Sequence, residues 1–411
     1  MKRTTSIEQR VRTERLIALT TLCALFVLLM PERAEAIPAF ARKYGFNCTM
    51  CHSSVPRLND LGSRFRDNGY QLPGRENDEK TVLESAPPLA VRTSAGFDYV
   101  AVSHDSGATP RSGVELSGLD ILAAGLLAPD LGFVLVYTPP LPADVRGVAE
   151  QEAGLEMANV VFSNLLASGV AVRVGRFEPA YVAFSVKRHL SFSPYEAYGT
   201  TFVGGSPADE TQEGIEATAA IGALRMAAGL VNGSATNRRN DVPADGYLRL
   251  ATVLGAGEGQ LGGQRLGVMA HYGLARPDQT LGGGERRGFV RLGADASVNV
   301  SHWNLALQVI WSRDDASLWA ASAAVATLAG FAEVTYAPRS DLVALARYDL
   351  VRMDGAAGLD VARGTLGGRY YVIDNLALHV EYSHRQQNGH WLVGRGGQRE
   401  DAATARLDLI F

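Results

Sequence analysis

The stretch Trp303-Asn304-Leu305-Ala306-Leu307-Gln308-Val309-Ile310-Trp311 decides the fold of this chain. Trp303, Leu305, Leu307, Val309 and Trp311 fall on one side; His302, Asn304, Ala306, Gln308 and Ile310 fall on the other. A period of two puts successive side chains on opposite faces of a strand, so this strand faces two different solvents. The same alternation runs through Leu266 to Leu274, Leu376 to Tyr382 and Ala403 to Phe411. Eight residues separate the two tryptophans, about 27 Å along a strand. Tilted by about 40°, the strand lifts one ring about 20 Å above the other, the spacing of two aromatic girdles.

Extended along the chain, the period predicts about sixteen strands of roughly 10 residues, the pattern of an outer-membrane barrel. They start near Val91, Gly113, Leu131, Ala149, Ser168, Thr211, Ala223, Asp245, Gln264, Arg287, Ser301, Ala323, Asp341, Val361, Asn375 and Asp401. Short turns are expected at 129–130, 298–300, 338–340 and 373–374, and longer loops at 103–112, 232–244, 276–286, 312–322 and 386–400. An even strand count with short turns at one end sets both termini on the periplasmic side. The longest loop, Phe177 to Glu210, is expected to fold inward as the corresponding porin loop does. The chain closes on Phe411, in the outward phase. A soluble sandwich also alternates. The nearly uncharged outward faces, the charged inward faces and the strand number oppose that alternative. Past Met30 no apolar run is long enough for a membrane helix.

Residues 1–36 read as a secretory leader: Lys2, Arg3, Arg10, Arg12 and Arg15, then an apolar run from Leu16 to Met30, then Ala34-Glu35-Ala36 as a cleavage site. A retained anchor is the alternative, but fifteen apolar residues are short for a span of about 20. Cleavage removes Cys23 and a charge of +2, which takes the net charge from −4 to −6. That acidic balance argues against a nucleic-acid partner.

Cys48-Thr49-Met50-Cys51-His52 carries the chemistry. In this spacing two thiols form thioethers with the vinyl groups of one haem, and the histidine stands next to them as proximal iron ligand. With three Cys and eight His in 411 residues, chance gives the pattern in about 3 chains in 10,000. A zinc knuckle needs two further ligands, and residues 37–88 hold no other Cys or His. A redox dithiol or a disulfide are the remaining alternatives. Residues 37–89 are therefore expected to be a small helical monohaem cytochrome c domain, ending in a linker around Pro87-Pro88. Arg64 and Arg66 are candidates for the haem propionates, or simply a solvated face. The segment lacks a sixth iron ligand. Met50 is tethered inside the motif, so the distal position is empty, takes a weak donor (Lys43, Asn59 or Tyr70), or is filled from the barrel. On the inward phase stand Met269, His271, His302 and His379, and His104 is in the first outer loop; Met157 and Met226 fall on the outward, lipid-facing phase.

Ile37 to Pro73 resembles the N-terminus of the fused monohaem cytochrome–porins, the outer-membrane ferrous-iron oxidases. The resemblance rests on Pro38, Phe40, Ala41, Arg42, Gly45, Cys48, Cys51, His52, Pro56, Leu58, Gly62, Phe65, Gly69 and Tyr70. It implies a haem that takes electrons from extracellular ferrous iron and passes them to a periplasmic c-type cytochrome. Residues 90–411 match the family in architecture, length and terminal Phe. Asp314, Asp315, Glu333, Asp349, Asp354 and Glu381 are candidate oxygen ligands for incoming iron, or ordinary lumen acids. Two other functions are open at this stage: a porin with a haem-bearing plug or sensor, and an outward electron conduit to external acceptors.

Overall fold

The computed structural model describes residues 39–46, 50–54, 56–72, 80–82, 84, 89–104, 107–145, 149–151, 154–165, 169–199, 208, 210–233, 245–255, 263–275, 287–315, 324–354, 359–388 and 397–410. The expected leader, Cys48 and Phe411 lie outside them. The described N-terminal segment consists of helix α1 (Ala39–Tyr44), a short hairpin of β1 (His52–Ser54) and β2 (Arg57–Leu58), and helix α2 (Asp60–Asp67).

The wall follows in chain order: β3 (Leu89–His104), β4 (Gly107–Ala128), β5 (Leu131–Thr138), the small side pair β6 (Leu141–Ala143) and β7 (Ala149–Gln151), then β8 (Gly154–Phe162) and β9 (Val170–Phe177). After the inward loop, which carries helix α3 (Glu196–Gly199), come β10 (Gln212–Ile221), β11 (Leu224–Val231), β12 (Asp245–Leu254), β13 (Gln264–Ala275), β14 (Arg287–Val300) and β15 (Trp303–Asp314). The last five are β16 (Val325–Arg339), β17 (Leu342–Met353), β18 (Leu359–Ile373), β19 (Leu376–Asn388) and β20 (Gln398–Ile410).

Sixteen strands, all but β6 and β7 of those after α2, close into one antiparallel barrel. The seam joins β20 to β3, with Leu409 opposite Thr93. Closure leaves no free edge, which a strand in hydrocarbon requires. The expected starts are met within a few residues, with two exceptions. The loop expected at 103–112 is mostly strand, because β3 and β4 run on and pair as far as His104 opposite Gly107. The fourth wall strand begins at Gly154 rather than Ala149.

The alternation sorts as expected. Leu366 (62 % exposed), Val268 (54 %) and Trp303 (51 %) point outward, whereas Arg291, Glu333 and His379 point inward and are at most 1 % exposed. Held in water, each outward Leu would forgo roughly 1.5–3 kcal/mol of burial, so the outer solvent is lipid. Many of the described lumen charges are paired: Arg249 with Asp295 at 2.7 Å, Arg347 with Asp349 at 2.7 Å, Arg406 with Asp98 at 2.8 Å. A buried charge is tolerated only with such a partner. One end of the barrel has tight turns, such as Ala128–Leu131 and Ile373–Leu376.

Candidate functional site

The N-terminal segment folds around the motif. Asn59 caps α2 by accepting from the Gly62 amide at 2.9 Å, and its own amides donate to the carbonyls of Cys51 and Met50, both at 2.9 Å. An Asn at this cap satisfies orphan donors of the helix, and here it also fixes the helix to the motif. Gly62 allows that approach: a Cβ there would overlap the Cys51 carbonyl oxygen. Phe40, Phe65 and Tyr70 pack ring against ring, with Phe40 stacked on Tyr70 at 5.5 Å.

His52 Nδ1 lies 3.0 Å from the Pro56 carbonyl. A ring nitrogen on a carbonyl is the N–H donor, which makes Nε2 the unprotonated nitrogen of the neutral ring. Burial first, with the Arg188 charge adding to it, lowers the pKa of His52 to about 4. The imidazole is therefore neutral at neutral pH, the form that binds a metal.

The segment sits inside the barrel at its tight-turn end. Arg57 reaches across the lumen to Glu333 on β16 and also donates to the Tyr195 hydroxyl at 3.3 Å and to Asn304 at 3.4 Å. Asp67 pairs with Arg173 on β9 at 3.0 Å, and Asp60 with Arg225 on β11 at 3.5 Å. Gln71, fully buried, donates to Ser163 at 3.1 Å. Gly69 lies so close to Gly132 that a Cβ on the latter would overlap its backbone. Phe40 and Tyr70 pack against the inward patch Ala124, Val134 and Val136.

The loop after β9 folds inward, as expected, and crosses the lumen. Its Ala180 amide donates to Glu216 on β10 at 2.8 Å, and Lys187 pairs with Glu156 on β8 at 3.4 Å. The amides of Phe192 and Ser193 donate to Glu381 on β19, both at 2.8 Å. Arg347 on β17 donates to the carbonyls of Ser193 and Pro194 at 2.8 Å. Tyr181, Phe184, Tyr195 and Tyr198 form one apolar cluster with Tyr247, Met269, Ile310 and Phe331 of the wall. The loop is thus tied to nearly the whole circumference. Between loop, segment and wall is a cavity of about 390 Å³ lined in part by Arg57, Arg188, Arg225 and Arg265.

The residues expected at the iron separate. Met269 lies in the apolar cluster beneath the loop. His271 is buried, 3.5 Å from Asp245 and stacked on Tyr181. His379 is buried between Glu381 and Arg369, with Phe192 on its ring. His104 ends β3, opposite Gly107. Two assignments are corrected. His302 is not on an inward face: it is exposed in the turn between β14 and β15, where Ser301 takes a φ of 54°. Met157 does not face lipid: it pairs with the inward Val136 and packs on that patch, because β8 carries a bulge at Glu156 that reverses its phase. Met226 pairs with the outward Leu250, as expected. Among the iron-ligand candidates, Glu333, Asp349 and Glu381 hold the segment and the loop in place. No cluster of three or more His, Cys, Asp or Glu able to hold a metal ion occurs among the described residues.

No protein-family model matches the chain, and no curated protein is similar to it. Solved structures are. The anion-selective porin from Comamonas acidovorans superposes with a TM-score of 0.57 at 13% identity, over 79% of this chain and 100% of that one. This is the sixteen-stranded barrel of the outer-membrane porins. OmpT of Vibrio cholerae matches with a TM-score of 0.53 at 9% identity over 81% and 100% of the two chains, and OmpF of Salmonella typhi with 0.53 at 13% over 79% and 98%. Identities this low establish the porin fold alone. What sequence reasoning missed is Arg57, Tyr195 and Glu381 as the residues that fasten the lumen contents, and the loop's own His189, whose ring meets Tyr195 edge-on at 6.1 Å. The first two meet across 138 positions, and Arg57 meets Glu333 across 276, with no local signal to link them.

Proposed function

We propose that the chain is a porin-fold protein of the Gram-negative outer membrane whose lumen is stoppered by a haem-bearing plug. The single observation that carries this reading is the burial of the Arg57–Glu333 ion pair between the motif segment and the far wall. The residues fit a c-type haem. His52 has Nδ1 engaged by the Pro56 carbonyl, Cys51 is held against α2 through Gly62, and Cys48 and Cys51 are the thiols for the vinyl groups. A bound haem would supply one-electron redox chemistry. The chain's own groups orient the proximal imidazole through Pro56 and exclude water with Phe40, Phe65 and Tyr70.

A loop and a plug that cross the lumen oppose the free passage of solutes, and electrons cross where solutes do not. The plug is therefore read as an electron-transfer centre, with tight turns and haem on the periplasmic side. The resemblance of Ile37 to Pro73 favours extracellular ferrous iron as donor and a periplasmic c-type cytochrome as acceptor. Two measurements test this. Purified protein should give a pyridine haemochrome spectrum of one haem c per chain, and ferrous iron outside a proteoliposome should reduce it; a haem that stays oxidised removes the iron-oxidase reading. A solute porin with a regulatory haem plug is the second reading, favoured by the arginine-lined cavity beneath the loop. Reconstituted protein with large, haem-independent conductance would establish that reading instead.

A further inference from the structure

The segment brings one axial ligand, and the inward loop and wall surround it. Beside the patch that receives the segment, the regular wall is broken. Leu135 faces Ala158 and Val136 faces Met157, but Tyr137 then faces Leu155, so Glu156 is the extra residue of a bulge. Leu155 points outward and is 46 % exposed. Without the bulge, Met157 would follow it into lipid. With the bulge, Glu156 and Met157 both turn inward. Glu156 accepts from Thr138 at 3.3 Å and pairs with Lys187 of the loop, the neighbour of Arg188, whose charge acts on His52. Met157 packs on the patch that also receives Phe40 and Tyr70 of the segment. Bulges of this kind re-aim a side chain, and they are over-represented next to functional sites.

The other methionines are placed elsewhere. Met50 is inside the motif, Met226 follows the outward phase, Met269 lies beneath the loop, and Met353 ends β17 at the opposite end of the barrel from the segment. A thioether is a soft, neutral donor that suits haem iron and raises its potential.

We propose that Met157, turned inward by the bulge at Glu156, is the barrel's contribution to the haem site and supplies the distal thioether ligand to the iron. The proposal rests on the reading that residues 48–52 carry a haem. It makes the haem site composite: the thioether and imidazole ligands come from chain positions more than a hundred residues apart, and the segment is incomplete without the wall.

The test uses the full-length, haem-loaded protein in detergent. The oxidised wild type should be low-spin and show the weak sulfur-to-iron charge-transfer band, and the reduced form should not take up carbon monoxide. Met157→Ala should lose the band, bind carbon monoxide and shift to a lower reduction potential. Met157→His should restore a low-spin, carbon monoxide-resistant spectrum without the band, which shows that the loss in Met157→Ala is one of ligation and not of folding. Wild type without the band, or Met157→Ala with an unchanged spectrum, overturns the assignment. High-spin haem in His189→Ala with normal Met157→Ala would overturn it in favour of the loop. Absence of covalent haem from every variant and from wild type would instead remove the reading on which the proposal rests.

Discussion

The Arg57 guanidinium is bound to the Glu333 carboxylate with side-chain exposures of 16 % and 0 %, and the two residues lie 276 positions apart. Glu333 is also 3.8 Å from Arg347 and accepts from Tyr195 at 3.3 Å. The pair therefore joins segment, loop and wall at one point. Removing one partner of a buried pair costs up to about 3–5 kcal/mol, and here Arg347 and the Tyr195 hydroxyl offset part of that for Glu333. Arg57→Ala should release the segment to limited proteolysis while the barrel stays heat-modifiable on gels. Replacing both residues, as Arg57→Met with Glu333→Leu, should restore much of the protection, since no charge is then left buried alone.

Gly62 has no room for a side chain. Gly62→Ala drives a methyl into the Cys51 carbonyl, and either α2 or the motif must shift. Overpacking of this sort costs about 1–3 kcal/mol. If residues 48–52 carry a haem as proposed, the expected outcome is a barrel that assembles normally but carries clearly less covalent haem, read as the ratio of haemochrome absorbance to protein. Gly45 is the control. Its φ is +68°, with open space around it, so Gly45→Asn should be tolerated far better than Gly45→Val.

Phe331 is the wall's anchor for the inward loop. Its ring stacks on Tyr195 at 4.2 Å and meets Phe184 edge-on at 5.4 Å, and it is 5 % exposed. Phe331→Ala should cost about 3–5 kcal/mol of the loop's docking. Single-channel recordings should then show openings that the wild type lacks. Unchanged, low conductance would mean that the polar ties to Glu381 and Arg347 hold the loop by themselves.

The wall was legible because lipid imposes a period of two on every strand, and the sixteen strands were recovered from that period alone. The errors fell where the period is locally broken. One extra residue at Glu156 reversed β8 and hid Met157, and a left-handed Ser301 took His302 off the strand face. The motif singled out Cys51 and His52 as candidates without help from the fold. The fastenings were not legible, because each joins a loop or segment without periodicity to a wall residue more than a hundred positions away: Arg57 to Glu333, Ser193 to Glu381, Asp67 to Arg173. Nothing in a lumen acid's local sequence distinguishes one that faces water from one that holds a plug.

His189 gives the loop a pH dependence whose sign can be worked out. Burial first, with Arg347 adding to it, lowers its pKa to about 4, against the opposing contributions of the Ser191 carbonyl, Glu381 and Glu333. In the unfolded chain a histidine titrates near 6.5. The folded state therefore resists the proton that the unfolded state accepts. The stability owed to neutral His189 is complete above pH 6.5, declines below it, and is lost as the pH falls through about 4. Glu178 contributes in the same direction lower down: burial raises its pKa, but the Arg188 charge and the Ser185 and Val186 donors outweigh this and hold it below the usual range. Thermal unfolding followed from pH 8 to pH 4 should show the midpoint falling below pH 6.5 in wild type. His189→Gln, which keeps a polar group but cannot titrate, should flatten the upper part of that fall and leave the part below pH 4.5. Wild-type and His189→Gln curves that run parallel between pH 6.5 and pH 4.5 would show that His189 does not carry the acid response and would assign it to another half-buried imidazole, such as His52.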